Sequence, residues 1–95
     1  MTGAKAPRHK AVVTIANTRG MHARAAAKFV KTAQSFSSSI EVERNDICVS
    51  GRSIMGLMML AAGPGTKIII RAAGADAEAA LAALTGLVER RFEES

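Results

Sequence analysis

Residues 40–53 read Ile40-Glu41-Val42-Glu43-Arg44-Asn45-Asp46-Ile47-Cys48-Val49-Ser50-Gly51-Arg52-Ser53. Ile40 to Glu43 alternates apolar and charged residues strictly, which is the period of a half-buried strand with Ile40 and Val42 inward. Arg44-Asn45-Asp46 is turn material, and Ile47 to Ser50 is a second short β-rich run. The two strands should form a hairpin. Gly51 and Arg52 then lead to Ser53, a good N-cap for a short helix over Ile54 to Leu60. Gly63 weakens that helix, and Pro64-Gly65 marks a turn.

Upstream of the hairpin, Lys10 to Ala16 is β-rich and predicts the first strand. A loop, Asn17 to Gly20, separates it from a helix over about Ala23 to Gln34. In that helix Ala26, Phe29, Val30 and Ala33 fall at i, i+3, i+4 and i+7, one apolar face. Arg24, Lys28 and Lys31 lie off it. Ser35 to Ser39 is a serine-rich turn with Phe36 directed to the core. Downstream, Lys67 to Ala72 carries three successive Ile and predicts the fourth strand. Asp76 is the expected cap of a last helix running to about Arg91, with Ala80, Leu81, Leu84, Leu87 and Val88 as its core stripe. Residues 1–9 read as a loose tail and 10–92 as one domain.

The order is βαββαβα. Short loops favour antiparallel pairing. Four strands with all three helices on one face of the sheet make a two-layer α+β domain. The 95 residues are 48% hydrophobic but only 3% aromatic. Small aliphatic side chains and three Phe must therefore fill the interior. The single cysteine, Cys48, rules out an intrachain disulfide and reads as a small core residue. No apolar run is long enough to span a bilayer, and the first ten residues lack the apolar core of a secretory signal. A cytoplasmic protein is expected.

The net charge of +5 is unevenly spread. Residues 1–40 carry Lys5, Arg8, Lys10, Arg19, Arg24, Lys28 and Lys31 and no acid, whereas residues 76–95 are mainly acidic. The basic part is suited to anionic groups or acidic partners. Within it, Gly20-Met21-His22-Ala23-Arg24-Ala25-Ala26 places a histidine where the helix begins. A helix N-terminus presents unpaired N–H groups and partial positive charge, both of which stabilise phosphate. Arg24 adds a planar fork of donors that suits phosphate oxygens. The same field disfavours imidazolium, which leaves a ring nitrogen with the lone pair needed to attack phosphorus. Phosphoryl transfer depends on positioning and charge stabilisation, and one histidine, one arginine and a helix end supply both. Gly20 permits a tight loop.

The segment GMHARAAAKFVKTA (20–33) resembles the active-site signature of the HPr family, in which the histidine is followed by Ala, Arg, Pro and Ala. GRSIMGLMMLAAGPGTKIII (51–70) resembles that family's second signature, around a regulatory serine, and AAGADAEAALAALTGLVE (72–89) its last helix. The matches keep the family's order over roughly residues 12–90. The resemblance implies an open-faced β-sandwich of βαββαβα order, in agreement with the reading above. It implies that His22 accepts a phosphoryl group at Nδ1 from enzyme I, that Arg24 assists, and that the group passes to an EIIA protein or domain. It implies that Ser53 is a target of HPr kinase/phosphorylase, beyond its capping role, and that Ile54, Met55 and Met58 dock partners. The short helix is apolar nearly all round, so some of Ile54, Met55, Met58 and Met59 should be exposed. One position departs from the family: Ala25 stands where Pro is usual. Proline pre-organises the first helical turn, and alanine is a strong helix former, so a working site with a slightly less fixed start is expected.

Gly63-Pro64-Gly65-Thr66-Lys67 lacks the order of a phosphate loop and is followed by a strand. His9, His22 and Cys48 are too few and too scattered for zinc, and no cofactor is implied. The charge raises the alternative of a small basic nucleic-acid-binding module. The absence of Trp, Tyr and an RNP-like aromatic pair argues against it. Within the family reading, the protein serves either sugar uptake or regulation through its phosphorylation state.

Overall fold

The computed structural model describes residues 8–94. Its elements run β1 (Arg8–Thr14), α1 (Ala23–Ala33), β2 (Ser39–Arg44), β3 (Ile47–Ser50), α2 (Ile54–Met59), β4 (Lys67–Ala73) and α3 (Ala77–Glu89). The strands form one antiparallel sheet in the order β1-β4-β2-β3. The expected α+β class, with an open four-stranded sheet and three helices, is the fold observed.

The hairpin of β2 and β3 closes as expected. Arg44 pairs with Ile47, and the two residues between them, Asn45 and Asp46, have φ of 52° and 66°. Both central positions of this tight loop need positive φ, which Asn and Asp tolerate better than other side chains. Alternation then sends Ile40 and Val42 inward, beside Ile68, Ile70 and Ala72 of β4 and Val13 of β1. Against this layer pack Phe29 and Val30 of α1, Leu57 of α2, and Ala80, Leu84, Leu87 and Val88 of α3. Phe36 and Leu81 are half-buried at the margin of the same core.

Four expectations need correction. β1 starts and ends two residues early, because Arg8 and His9 pair with Ala73 and Ala72 of β4 while Ile15 and Ala16 have left the ladder. Residues 8 and 9 of the expected tail thus belong to the strand, and residues 1–7 lie outside the described residues. Cys48 is exposed, not core. β3 is an edge strand, and its register sets Val42 against Val49 on the helix side and Glu43 against Cys48 on the open face. The thiol's neighbours there include Glu41 and Glu43, and desolvation followed by these acids raises its pKa. Asp76 precedes α3 but makes no capping bond with its side chain. Its carboxylate instead accepts from the N–H groups of Ser37 and Ser38, each at 2.9 Å, and from both hydroxyls. This ties the turn before β2 to the start of α3.

The last helix ends earlier than expected. α3 stops at Glu89, and a 3₁₀ turn, Arg91–Glu93, follows. Its three residues have φ of 58°, 54° and 58°. Left-handed backbone costs an L-residue about 1–2 kcal/mol. Burial of Phe92, only 2% exposed, offsets part of this cost across the three residues, since a large aromatic side chain gains about 1.5–3 kcal/mol on burial. Two polar bonds assist: Lys28 Nζ donates to the Phe92 carbonyl at 2.8 Å, and Glu94 N donates to the Arg91 carbonyl at 2.9 Å.

Candidate functional site: a histidine at the start of the first helix

The loop before α1 is held at several points. Asn17 is fully buried and donates through Nδ2 to the Gly20 carbonyl at 2.8 Å. Gly20 has φ of 66°, and a Cβ there would collide with the Ala62 carbonyl, so only glycine fits. Met21 is buried and its N–H donates to that same carbonyl at 2.9 Å. With the two preceding residues anchored, His22 emerges at a defined angle.

His22 is the N-cap of α1, in extended conformation with φ of −83° and ψ of 179°. Its carbonyl accepts from Ala26 N at 2.8 Å. Its Nδ1 accepts from the backbone N–H of Arg24 at 3.2 Å. An accepting Nδ1 carries a lone pair, so the proton of the neutral ring belongs on Nε2. Nε2 lies 3.4 Å from a carboxylate oxygen of Glu94. The Arg24 side chain is exposed, as expected for a residue off the apolar stripe. It lines, with Thr18, Arg19, His22, Ala25, Lys28, Phe92, Glu93 and Glu94, an open cleft of about 410 Å³. Ala25 is buried in the first turn; the helix starts at Ala23 without the proline.

Glu94 is absent from the sequence-based site. Its carboxylate accepts from Thr18 N at 2.9 Å and from Asn17 Nδ2 at 3.3 Å. Burial raises the pKa of this carboxyl, but the hydrogen bonds from Asn17, Thr18 and Arg19 and the charge of His22 outweigh it, and the net effect is a lowering. No local signal marks this residue, which lies 77 positions from Asn17. Lys28, read only as a surface cation, has the structural task of holding the C-terminal turn.

Ser53 is the N-cap of α2, and its Oγ accepts from Gly56 N at 2.9 Å. Ile54, Met55, Met58 and Met59 are all exposed, Met55 by 73%, while Leu57 faces the core. α2 runs antiparallel to α1. At one end Arg52 Nη2 donates to the carbonyls of Ala33 and Phe36 at the end of α1; at the other, the Ala62 carbonyl holds Met21. The apolar row therefore extends along α1 towards His22, with Ser53 at its far end.

The family pattern described as "PTS HPr component phosphorylation site" matches residues 9–90. Among similar proteins is the phosphocarrier protein HPr of Neisseria meningitidis serogroup B, 49% identical over 85 residues, which are 90% of this chain and 96% of that protein. The phosphocarrier protein HPr of Pseudomonas aeruginosa is 48% identical over 83 residues, 86% of this chain and 92% of that one. The crystal structure of HPr-C-His from Thermoanaerobacter tengcongensis superposes with a TM-score of 0.87 at 42% identity, covering 92% of this chain and 98% of that one. These findings give no support to the nucleic-acid-binding alternative. The chain belongs to the HPr family, the phosphocarrier proteins of the phosphotransferase system.

Proposed function

We propose that His22 carries the phosphoryl group, accepting it at Nδ1 from phosphorylated enzyme I and passing it to an EIIA protein or domain, for sugar uptake or for signalling. The observation that carries this is the hydrogen bond from Arg24 N–H to His22 Nδ1. It puts the lone pair of the ring at the positive end of α1, in an open cleft. As a phosphoryl group approaches, Nδ1 attacks phosphorus and gives up that hydrogen bond. The released N–H is then a donor for a phosphoryl oxygen, at a helix end that favours anions. The guanidinium of Arg24 supplies a second, charged donor pair. Loss of the group to the next acceptor reverses these steps.

In this reading Ile54, Met55 and Met58 form the docking patch. Methionine adapts to several partners because its side chain repacks easily. Ser53 is its regulatory element, modified by HPr kinase/phosphorylase. A phosphate there adds about −1.5 to −2 charges at the edge of the patch. Because Ser53 sits at the end of α2 remote from the His22 loop, the effect falls on docking and not on the imidazole.

The test is incubation with phosphoenolpyruvate and enzyme I, followed by mass measurement and mapping. One phosphoryl group is expected on His22, acid-labile and alkali-stable. His22→Ala should fold and take no label; label retained by that variant would refute the assignment.

A further inference from the structure

The family match ends at residue 90, yet the chain beyond it returns to the site. Phe92 anchors the turn in the core, Lys28 binds its carbonyl, and Glu94 reaches the loop before α1. Its carboxylate is fixed from two sides, by Thr18 N–H and by the buried Asn17 amide, and lies 3.4 Å from His22 Nε2. The Glu94 side chain is only 19% exposed, so solvent screens this contact less than it would an ion pair in open water.

Arg24 and Lys28 from α1, Arg19 from the loop, and Glu93 from the C-terminal turn also line the cleft around the ring. Glu94 is the acid at ion-pair distance from it. A carboxylate there prefers the tautomer that directs N–H towards it. That is the tautomer in which Nδ1 accepts from Arg24 N–H, so the two nitrogens are specified by two separate partners.

We infer that Glu94 is a positioning residue for phosphoryl transfer: it holds the proton of His22 on Nε2, keeps the lone pair on Nδ1, and stabilises the positive ring formed on phosphorylation. This rests on the reading of His22 as acceptor. In the step, the Nδ1 lone pair forms the P–N bond while the bond from phosphorus to the donor atom of phosphorylated enzyme I breaks, its electron pair leaving with the donor. Nδ1 has no proton to lose. Nε2 keeps its proton, and the ring becomes cationic against the Glu94 carboxylate.

The experiment compares Glu94→Ala and Glu94→Gln with the parent protein. Ring ¹⁵N shifts of His22 at alkaline pH report the tautomer ratio, and the initial rate of labelling by phosphoenolpyruvate and enzyme I reports transfer. In Glu94→Ala the ratio of Nε2–H to Nδ1–H should fall about threefold, the scale of a partly exposed ion pair, with slower labelling. Glu94→Gln keeps an accepting oxygen and should recover part of both. An unchanged ring pattern or unchanged labelling in Glu94→Ala overturns the inference. Label on His22→Ala overturns the assignment of the acceptor instead, so the two failures are distinct.

Discussion

The backbone N–H of Arg24 donates to Nδ1 of His22 at 3.2 Å. The two residues are thus joined through the first turn of α1, independently of the arginine side chain. This separation makes the side chain testable by itself.

Arg24→Ala keeps the N–H that orients His22 and removes only the guanidinium. The fold should be unaffected, since the side chain is exposed. Transfer from enzyme I should slow by about tenfold or more, as expected for loss of a hydrogen bond to a charged group. Arg24→Lys should restore part of the rate, because a point charge lacks the bidentate fork. Stopped-flow or quench measurement of labelling decides; rates equal to the parent's would mean that the helix end suffices.

Ser53 has two separable roles. Ser53→Ala removes the acceptor for Gly56 N–H and should cost about 1 kcal/mol of stability, with His22 labelling intact. Ser53→Asp is still a good cap and should keep the melting temperature, yet accept phosphoryl groups poorly. α1 spans 11 residues, so Ser53 and His22 are separated by about 16 Å along it, beyond a Debye length of about 8 Å. A defect in Ser53→Asp should therefore appear as weaker binding to enzyme I in calorimetry. Full activity of Ser53→Asp would leave capping as the serine's whole role.

Asp76 should make stability depend on pH in a defined window. Its pKa is lowered from 3.8 to about 2, first by the Ser38 hydroxyl and then by the Ser37 N–H, against the opposing effect of burial. A carboxyl with a folded pKa below its unfolded value contributes stability that is complete above the unfolded value and lost as pH falls through the folded one. Asp76→Asn should therefore be less stable than the parent at pH 7, with the gap closing as pH falls from about 4 to about 2. Urea midpoints of both proteins across that range check this; a gap independent of pH would assign the effect to packing.

Phe92→Ala should destabilise by about 3 kcal/mol, the low end for a buried aromatic, because release of the turn also relieves the left-handed backbone at Arg91 and Glu93. The same change frees Glu94, so the ring ¹⁵N pattern of His22 should shift as it does in Glu94→Ala. Chemical denaturation and the NMR spectrum measure the two effects separately. A loss under 1 kcal/mol would mean that the turn is only loosely docked.

Much of the chain was legible because the physics is local. The alternation of Ile40 and Val42, the Asn45-Asp46 loop, the stripe of Ala26, Phe29, Val30 and Ala33, and the Ser53 cap each depend on residues a few positions apart. His22 at a helix start with Arg24 two residues on is a pattern of the same kind. Its cap geometry and its bond from Arg24 N–H follow from the backbone of one turn.

Tertiary structure decided what local pattern does not encode. Cys48 sits in an apolar run, but whether it is core depends on β3 being the edge of the order β1-β4-β2-β3. Asp76 has the sequence signature of a cap, but Ser37 and Ser38 offer it four donors once β2 and β4 are paired. Glu94 carries no motif at all. It reaches His22 because burial of Phe92 turns the chain left-handed after α3, and that burial site exists only when α1, α3 and the loop before α1 have been assembled around the sheet. A side chain's nearest charges are set by long-range packing, whereas its helix, strand or cap is set by its neighbours in the chain.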